Sequence, residues 1–340
     1  MPLNWTKTQP FGFDDLEENA AIRYSSKAHD SLIRKSQIRC CVQGCSHWLA
    51  KRRRKQRNNP DAFCPTHGIS VSTSPTFIYK DHSRNFIIDT DILNQVKSLK
   101  VESWRLGNER SEDALSWNVF MGLAGLNGLA VAFHNLTGIQ IDSEPELYLW
   151  GIKVSGAKPL VWAKLMTVRQ ALEKKVKIPT EPDIILRVPG KAIALIEAKF
   201  GSSNGTLEGK KKRFGTVADF LNRYRCLEGA ADPLNREWIE EQPRAQVLQQ
   251  LVRNVIFAQW LAEDGEVPFV VNLVRATDET NVEERMTNHL AANGPVRFRR
   301  ATWEGLSQLP LMAQQDAAPL RNYLKNKTNK LTRAFQQNPL

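Results

Sequence analysis

Hydrophobic and polar positions recur with different periods along this chain, and the changes of period mark its elements. Residues 183–188 (Asp-Ile-Ile-Leu-Arg-Val) and 192–199 (Ala-Ile-Ala-Leu-Ile-Glu-Ala-Lys) are short apolar runs rich in β-branched residues, which predicts two strands. Val188-Pro189-Gly190-Lys191 between them predicts a tight turn. Pro presets φ at its first corner and Gly tolerates positive φ at the second. Residues 267–274 read as a further buried strand, and 295–301 as a more polar one carrying Arg297, Arg299 and Arg300. Over 243–262 the spacing becomes helical. Val247, Leu248, Leu251, Val252, Val255 and Ala258 recur at intervals of three and four and mark one apolar face.

Elsewhere the pattern is mixed. Ser111 followed by Glu112 and Asp113 predicts a helix start, with a hydroxyl N-cap and acids in the first turn. Residues 115–133 carry no charge over nineteen positions, but Ser116, Asn118, Asn127 and several glycines make a poor membrane span. A buried helix, a turn near Gly125–Gly128 and a strand over 129–133 are expected there instead. Residues 76–79 and 86–88 read as short strands joined by a turn at 80–85, after a loop over 70–75. Residues 303–309 open a helix, and 320–335 place Leu320, Tyr323, Leu324, Leu331 and Phe335 at helical spacing with five cations and no acid. This order predicts an α/β domain with a mixed central sheet flanked by helices.

The chemistry concentrates where the second strand turns from apolar to charged. Strand side chains alternate faces, so Glu197 and Lys199 share one side with Ala198 opposite. Antiparallel pairing across the turn brings Asp183 beside them. Two carboxylates and one ammonium at a strand end are suited to holding a hard divalent cation next to a charged helper.

Pro182-Asp183, thirteen intervening residues and Glu197-Ala198-Lys199 resemble the motif of the PD-(D/E)XK nuclease superfamily. The resemblance covers residues 110–310 in pattern, and its specific match is confined to those few positions. It implies a restriction-endonuclease-like fold and a metal-dependent nuclease that hydrolyses phosphodiester bonds in DNA. Asp183 and Glu197 would hold Mg2+ (or Mn2+), with the Ala198 carbonyl as a further oxygen ligand, and Lys199 would assist the attacking water. A preceding helix often adds a Glu in this superfamily, which makes Glu112 the candidate, with Glu144 and Glu146 as rivals. The helix after the Lys often brings a Gln or Arg, here Gln249 and Arg253. The alternatives are a catalytically silent nucleic-acid-binding protein on the same fold and an RNA-directed nuclease subunit of a larger complex. No G-x-x-x-x-G-K-[ST] loop is present, so a motor would be a separate chain.

Four of the five cysteines fall at 40, 41, 45 and 64, with His67 beyond. Cys41, Cys45, Cys64 and His67 give C-x3-C, eighteen residues and C-x2-H, while Cys40 in place of Cys41 gives C-x4-C. Both fit structural Zn2+, whose closed sites take soft sulfur and imidazole ligands. His47 is a spare donor. Between the half-sites, Lys51–Arg57 holds six cations in seven positions, and Arg52, Arg53 and Arg54 are candidates to contact phosphates. Lys210, Lys211, Lys212 and Arg213 form a second basic run among glycines.

Composition agrees with a polyanionic partner. Lys and Arg outnumber Asp and Glu by 47 to 36, for a formal charge of +11. DNA is the expected partner, RNA is not excluded, and a homodimer and partner proteins both stay open. Met1–Lys7 lacks the apolar stretch of a secretory leader, so a cytoplasmic protein without membrane association is expected. The expected organisation is an N-terminal segment (1–35), a zinc-ribbon-like module with a basic loop (36–90), the nuclease-like domain (91–310) and a basic C-terminal helix or tail (311–340).

Overall fold

A computed structural model describes residues 4–5, 11–26, 36–52, 59–88, 91–99, 106–156, 158–174, 179–210 and 214–335. Packing divides the chain into two compact units, residues 1–126 with 310–340, and residues 127–309. Residues 91–126, expected with the sheet-bearing domain, pack in the first unit.

In the first unit, α1 (Ala20–Ser25) precedes two antiparallel hairpins, β1 (Gln37–Arg39) with β2 (Trp48–Ala50), and β3 (Ile69–Ser72) with β4 (Thr76–Tyr79). The loop expected at 70–75 is therefore mostly strand and hairpin turn. Phe86–Ile88 forms no strand; it follows a 3-10 turn at His82–Asn85, and Ile88 makes a single bridge to Trp5. The N-terminal segment joins the core of the two hairpins, where Leu16 bridges Val42 and Leu16, Ala20 and Tyr24 pack with Ile38 and Leu49. Next come α2 (Asp91–Leu99) and α3 (Glu112–Gly125). Ser111 caps α3 by accepting from the Ala114 amide at 3.1 Å. Ala114–Leu123 are all buried, which an all-round apolar helix requires. Asn118 secures it by accepting from the Ile87 amide (3.0 Å) and donating to the Asn85 carbonyl (2.8 Å).

The second unit opens with α4 (Leu129–Thr137), where a strand was expected over 129–133. Leu129, Ala132, Phe133 and Leu136 are buried while Val131 is exposed, so the burial period is helical. The Glu144 carboxylate accepts from the Leu129 amide at 3.1 Å, and Gly138, with φ 77°, ends the helix. β5 (Glu146–Leu149), β6 (Ile152–Lys153), β7 (Leu160–Val161), α5 (Ala163–Glu173), β8 (Ile184–Val188) and β9 (Ala192–Ala198) follow. Then come α6 (Val217–Arg223), α7 (Arg236–Glu241), α8 (Gln249–Leu261), β10 (Val267–Val274), α9 (Val282–His289), β11 (Arg297–Thr302) and α10 (Trp303–Ser307). The seven strands form one mixed sheet in the order β11-β10-β9-β8-β5-β6-β7. β9, β10 and β11 run parallel, and the pairs from β9 outward to β7 are antiparallel. β9 lies between β8 and β10 with all seven residues buried. α8 packs its apolar face on this centre, with Leu251, Val252, Val255 and Ile256 in one core with Leu195 and Val270. The β8–β9 turn contains Gly190 at φ 71°, and the Lys191 amide closes it onto the Val188 carbonyl at 3.0 Å.

The chain returns to the first unit with α11 (Ala318–Asn326) and the short hairpin β12 (Thr328–Asn329) with β13 (Thr332–Arg333). The expected single helix over 320–335 stops at Asn326. Lys330 and Leu331 take φ of 55° and 58°, a hairpin turn. Lys327 and Thr328 are meanwhile drawn to the buried Glu109. Its carboxylate accepts from the Lys327 ammonium (3.3 Å), the Thr328 amide and hydroxyl (3.0 Å each) and the Tyr79 hydroxyl (3.3 Å). Burial disfavours the charged carboxylate, and Lys327 opposes that. Removing one member strands the other, so Lys327→Met is expected to destabilise the first unit by about 3–5 kcal/mol. Urea unfolding should show it as a lower midpoint, and an unchanged midpoint would mean that the pair contributes nothing.

Candidate active site and metal centre

Strand direction brings the charged residues together. β9 and β10 are parallel and β8 is antiparallel to β9, so the end of β9, the end of β10 and the start of β8 share one edge of the sheet. Asp183 immediately precedes β8, and its Oδ2 accepts from the Ala198 amide at 2.9 Å. Glu197 and Lys199 face the same side at the end of β9, with Lys199 Nζ 2.5 Å from Glu197 Oε1. Both are buried, 3% and 6% exposed.

The backbone of this corner is held from several directions. The Lys199 amide donates to the Leu273 carbonyl at 2.8 Å, continuing the ladder to β10, and the Lys199 carbonyl accepts from the Trp303 indole at 3.1 Å. Asn272 of β10 donates to the Glu197 carbonyl at 3.3 Å and accepts from Asn204 at 2.9 Å. Before Asp183, the buried Glu173 accepts from the Thr180 amide and hydroxyl (2.5 Å each) and the Tyr224 hydroxyl (2.6 Å). Arg169 donates to the Thr180 carbonyl at 2.6 Å. Most of these anchors were not legible in the sequence, because they join residues far apart in the chain.

The Glu197 carboxylate has two further donors, both from α8. Gln250 Nε2 reaches Oε1 at 2.8 Å and Asn254 Nδ2 reaches Oε2 at 2.9 Å. Gln250 also accepts from the Gly205 amide at 3.1 Å, tying the loop after β9 to the same helix. Gln249 and Arg253 were the expected pair on this helix. The hydrogen bonds belong instead to the residues one position later, while Arg253 acts on Glu197 through its charge. Burial pushes the Glu197 carboxyl up, but Lys199, then Arg253 and the Asn254 amide, outweigh it and hold the group below its ordinary value of 4.5. Glu197 therefore stabilises the fold above that ordinary value, and the contribution is lost as pH falls through the lowered one. Glu197→Gln is expected to flatten the acid limb of the stability-against-pH curve below about pH 4.5. An acid limb identical to that of the wild type would refute this.

The remaining carboxylates are placed as follows. Glu112 is the first residue of α3, in the first unit, whereas Asp183, Glu197 and Lys199 all belong to the second. Glu144 caps α4. Glu146 pairs with Arg187 in the β5–β8 register, four residues along β8 from Asp183 or about 13 Å away, and bonds Lys153 and the Tyr148 hydroxyl. Neither rival lies at the Asp183 end of the strands.

A second cluster lies in the first unit. The ligand atoms of Cys40, Cys45, Cys64 and His67 are all within 4.8 Å of one another. The Cys45 and Cys64 sulfurs are 3.8 Å apart, and His67 Nδ1 is 3.7 Å from Cys40 Sγ and 3.3 Å from Cys64 Sγ. Tetrahedral Zn2+ with sulfurs at ~2.3 Å would separate them by about 3.8 Å. This set can therefore hold a metal such as zinc. Gly44 (φ 71°) and Gly68 (φ 62°) let the backbone fold tightly at both half-sites. Cys40 replaces the expected Cys41. Cys41 is buried in the same core as Cys40, Cys45 and Cys64 but outside the ligand cluster, and burial pushes its thiol up to about 12. His47 bonds the Thr66 hydroxyl at 3.1 Å and stays out of the cluster.

Among the basic candidates, Arg52 lies 5.9 Å from the Phe63 ring centre. Arg53, Arg54, Lys211, Lys212 and Arg213, and the side chain of Lys210, lie outside the described residues. The arginines of β11 have structural partners: Arg299 donates to the Thr137 carbonyl at 3.1 Å, and Arg300 to carbonyls of Arg275, Ala276 and Asp278. No helix among the described residues is long and apolar enough to cross a membrane. No family model, curated protein or solved structure matches the chain.

Proposed function

We propose that the chain is a Mg2+-dependent phosphodiesterase that cleaves DNA, on a restriction-endonuclease-like α/β fold. The observation that carries this reading is the meeting of Asp183, Glu197 and Lys199 at one end of two antiparallel strands, with Glu197 kept ionised beside a buried ammonium. Asp183 and Glu197 are the residues that would hold the cation, since hard divalent ions take carboxylate oxygens. When bound, the ion lowers the pKa of a water and neutralises phosphate charge. Lys199, fixed at both peptide groups and at Nζ, orients the attacking water or stabilises charge that grows on the phosphoryl oxygens as the P–O bond to the leaving group breaks. Gln250 and Asn254 keep the Glu197 carboxylate in one orientation for this work.

In the first unit, Cys40, Cys45, Cys64 and His67 would hold a structural Zn2+ with no open position. The basic segments would add contacts to the phosphate backbone, which give affinity without sequence reading.

The test is cleavage of a panel of linear, circular, single-stranded and branched DNA with Mg2+, by wild type and Asp183→Ala. Cutting by wild type alone is expected. Equal cutting by both would mean that the nuclease activity lies elsewhere, and tight binding without cutting would favour a binding protein.

A further inference from the structure

A groove of about 520 Å3 opens in the first unit, between residues 13–22 and the β12–β13 turn. Phe13, Leu16, Ala20, Ile22 and Leu331 make its lining mostly apolar. Ile22 of α1 is 59% exposed and Phe13 36%, so two large apolar side chains are left to water at one groove. The volume lies in the range of ligand pockets, about 300–1,000 Å3. The wall is fixed by backbone contacts. The Glu17 amide donates to the Cys41 carbonyl at 2.7 Å, the Gln43 amide donates to the Asp15 carbonyl at 3.0 Å, and Leu16 bridges Val42. The groove is therefore preformed.

Its charge is opposite to that of the chain. Asp14, Glu17 and Glu18 line it, and among the described residues no Lys or Arg does, in a protein with a formal charge of +11. Arg23 and Arg39 pair with Glu17, and Arg333 with Asp14, all from outside the lining. Glu18 is exposed. Carboxylates repel phosphate, so neither a nucleic acid nor an anionic membrane surface fits here. Exposed apolar side chains in a groove suit an amphipathic segment, whose apolar residues enter while its charges meet the rim. With acids at the rim, complementary charges are cations.

We propose that this groove docks a basic amphipathic segment of a partner protein. Apolar anchors of that segment pack against Phe13 and Ile22, and its Lys or Arg side chains meet Glu17 and Glu18. The inference stands apart from the phosphodiesterase reading, because no residue of the strand-end site takes part.

The experiment uses the full chain, loaded with zinc, and two fluorescein-labelled helical peptides, one of Leu and Lys and one of Leu and Glu. Fluorescence anisotropy at low and high salt reads binding. Wild type is expected to bind the Leu–Lys peptide, more weakly as salt rises, and to ignore the Leu–Glu peptide. Ile22→Asp is expected to weaken binding about tenfold or more, by removing an apolar anchor. Glu18→Lys is expected to weaken it as well and to flatten the salt dependence. Both positions are exposed, so unchanged circular dichroism and zinc content show that the fold is kept. No binding by wild type overturns the inference. Equal binding by wild type and Ile22→Asp also overturns it, because the peptide then sits elsewhere, and equal binding of both peptides removes the charge argument on which the partner's chemistry rests. Self-association of wild type in sedimentation that Ile22→Asp abolishes would give the groove to a second copy and overturn the partner assignment.

Discussion

Lys199→Ala is expected to lower Mg2+-dependent cleavage of DNA by about 10²–10³-fold, and Lys199→Arg to restore only a fraction. The size follows from where the ammonium sits. It is 6% exposed, 2.5 Å from Glu197, with its backbone bonded on both sides, so water cannot take its place in the same geometry. The arginine fork is longer and planar and cannot repeat a point contact on one carboxylate oxygen. Measurement under single-turnover conditions separates chemistry from product release, and KM for DNA should move little where the basic segments supply the affinity, as proposed. A variant that cuts as fast as wild type would remove Lys199 from the chemistry and with it the strongest reason for reading this strand end as catalytic.

Loss of the knuckle metal should have the largest effect on folding. Purified protein is expected to carry one Zn2+ per chain, and Cys40→Ser, Cys45→Ser or Cys64→Ser to lose it together with the β1–β2 and β3–β4 hairpins. Structural zinc contributes about 10–16 kcal/mol of binding free energy that is available only to the folded knuckle. The two hairpins are short, and Cys40, Cys45 and Cys64 form part of the core that joins them. Cys41→Ser is expected to retain the metal and to lower stability modestly, because it alters a core contact and no ligand. Zinc quantitation with near-ultraviolet circular dichroism on the four variants reads both effects. Retention by Cys40→Ser and loss by Cys41→Ser would reverse the assignment.

Much of this was legible in the residues. The β8–β9 pair is visible because two apolar runs flank a Pro-Gly turn, and its charged end is conspicuous after five apolar positions. Spacing alone could not choose between Cys40 and Cys41, since both suit a zinc half-site; the fold brings the Cys40 sulfur, not that of Cys41, to Cys45, Cys64 and His67. On α8, the periodicity correctly marked the apolar face, but a shift of one residue moved the bonded pair from Gln249 and Arg253 to Gln250 and Asn254. Each residue turns a helix by about 100°, so a polar stripe read without its partner strand is uncertain by that angle. Residues 129–133 are apolar enough for either structure, and the carboxylate of Glu144 and the glycine at 138 settled the helix.

The sequence by itself determined the chemistry present: an Asp and a Glu-x-Lys at strand ends, thiols and an imidazole at zinc spacing, and an excess of cations. Those follow from residue type and short-range period, which the chain carries locally. Only the tertiary structure decided which groups meet. The ties of Asn272 to Asn204, Trp303 to Lys199, Glu173 to Thr180 and Tyr224, and Glu109 to Lys327 join positions that no local pattern relates. They exist because buried polar groups must find partners, and the nearest partner in space is set by how the sheet and helices pack.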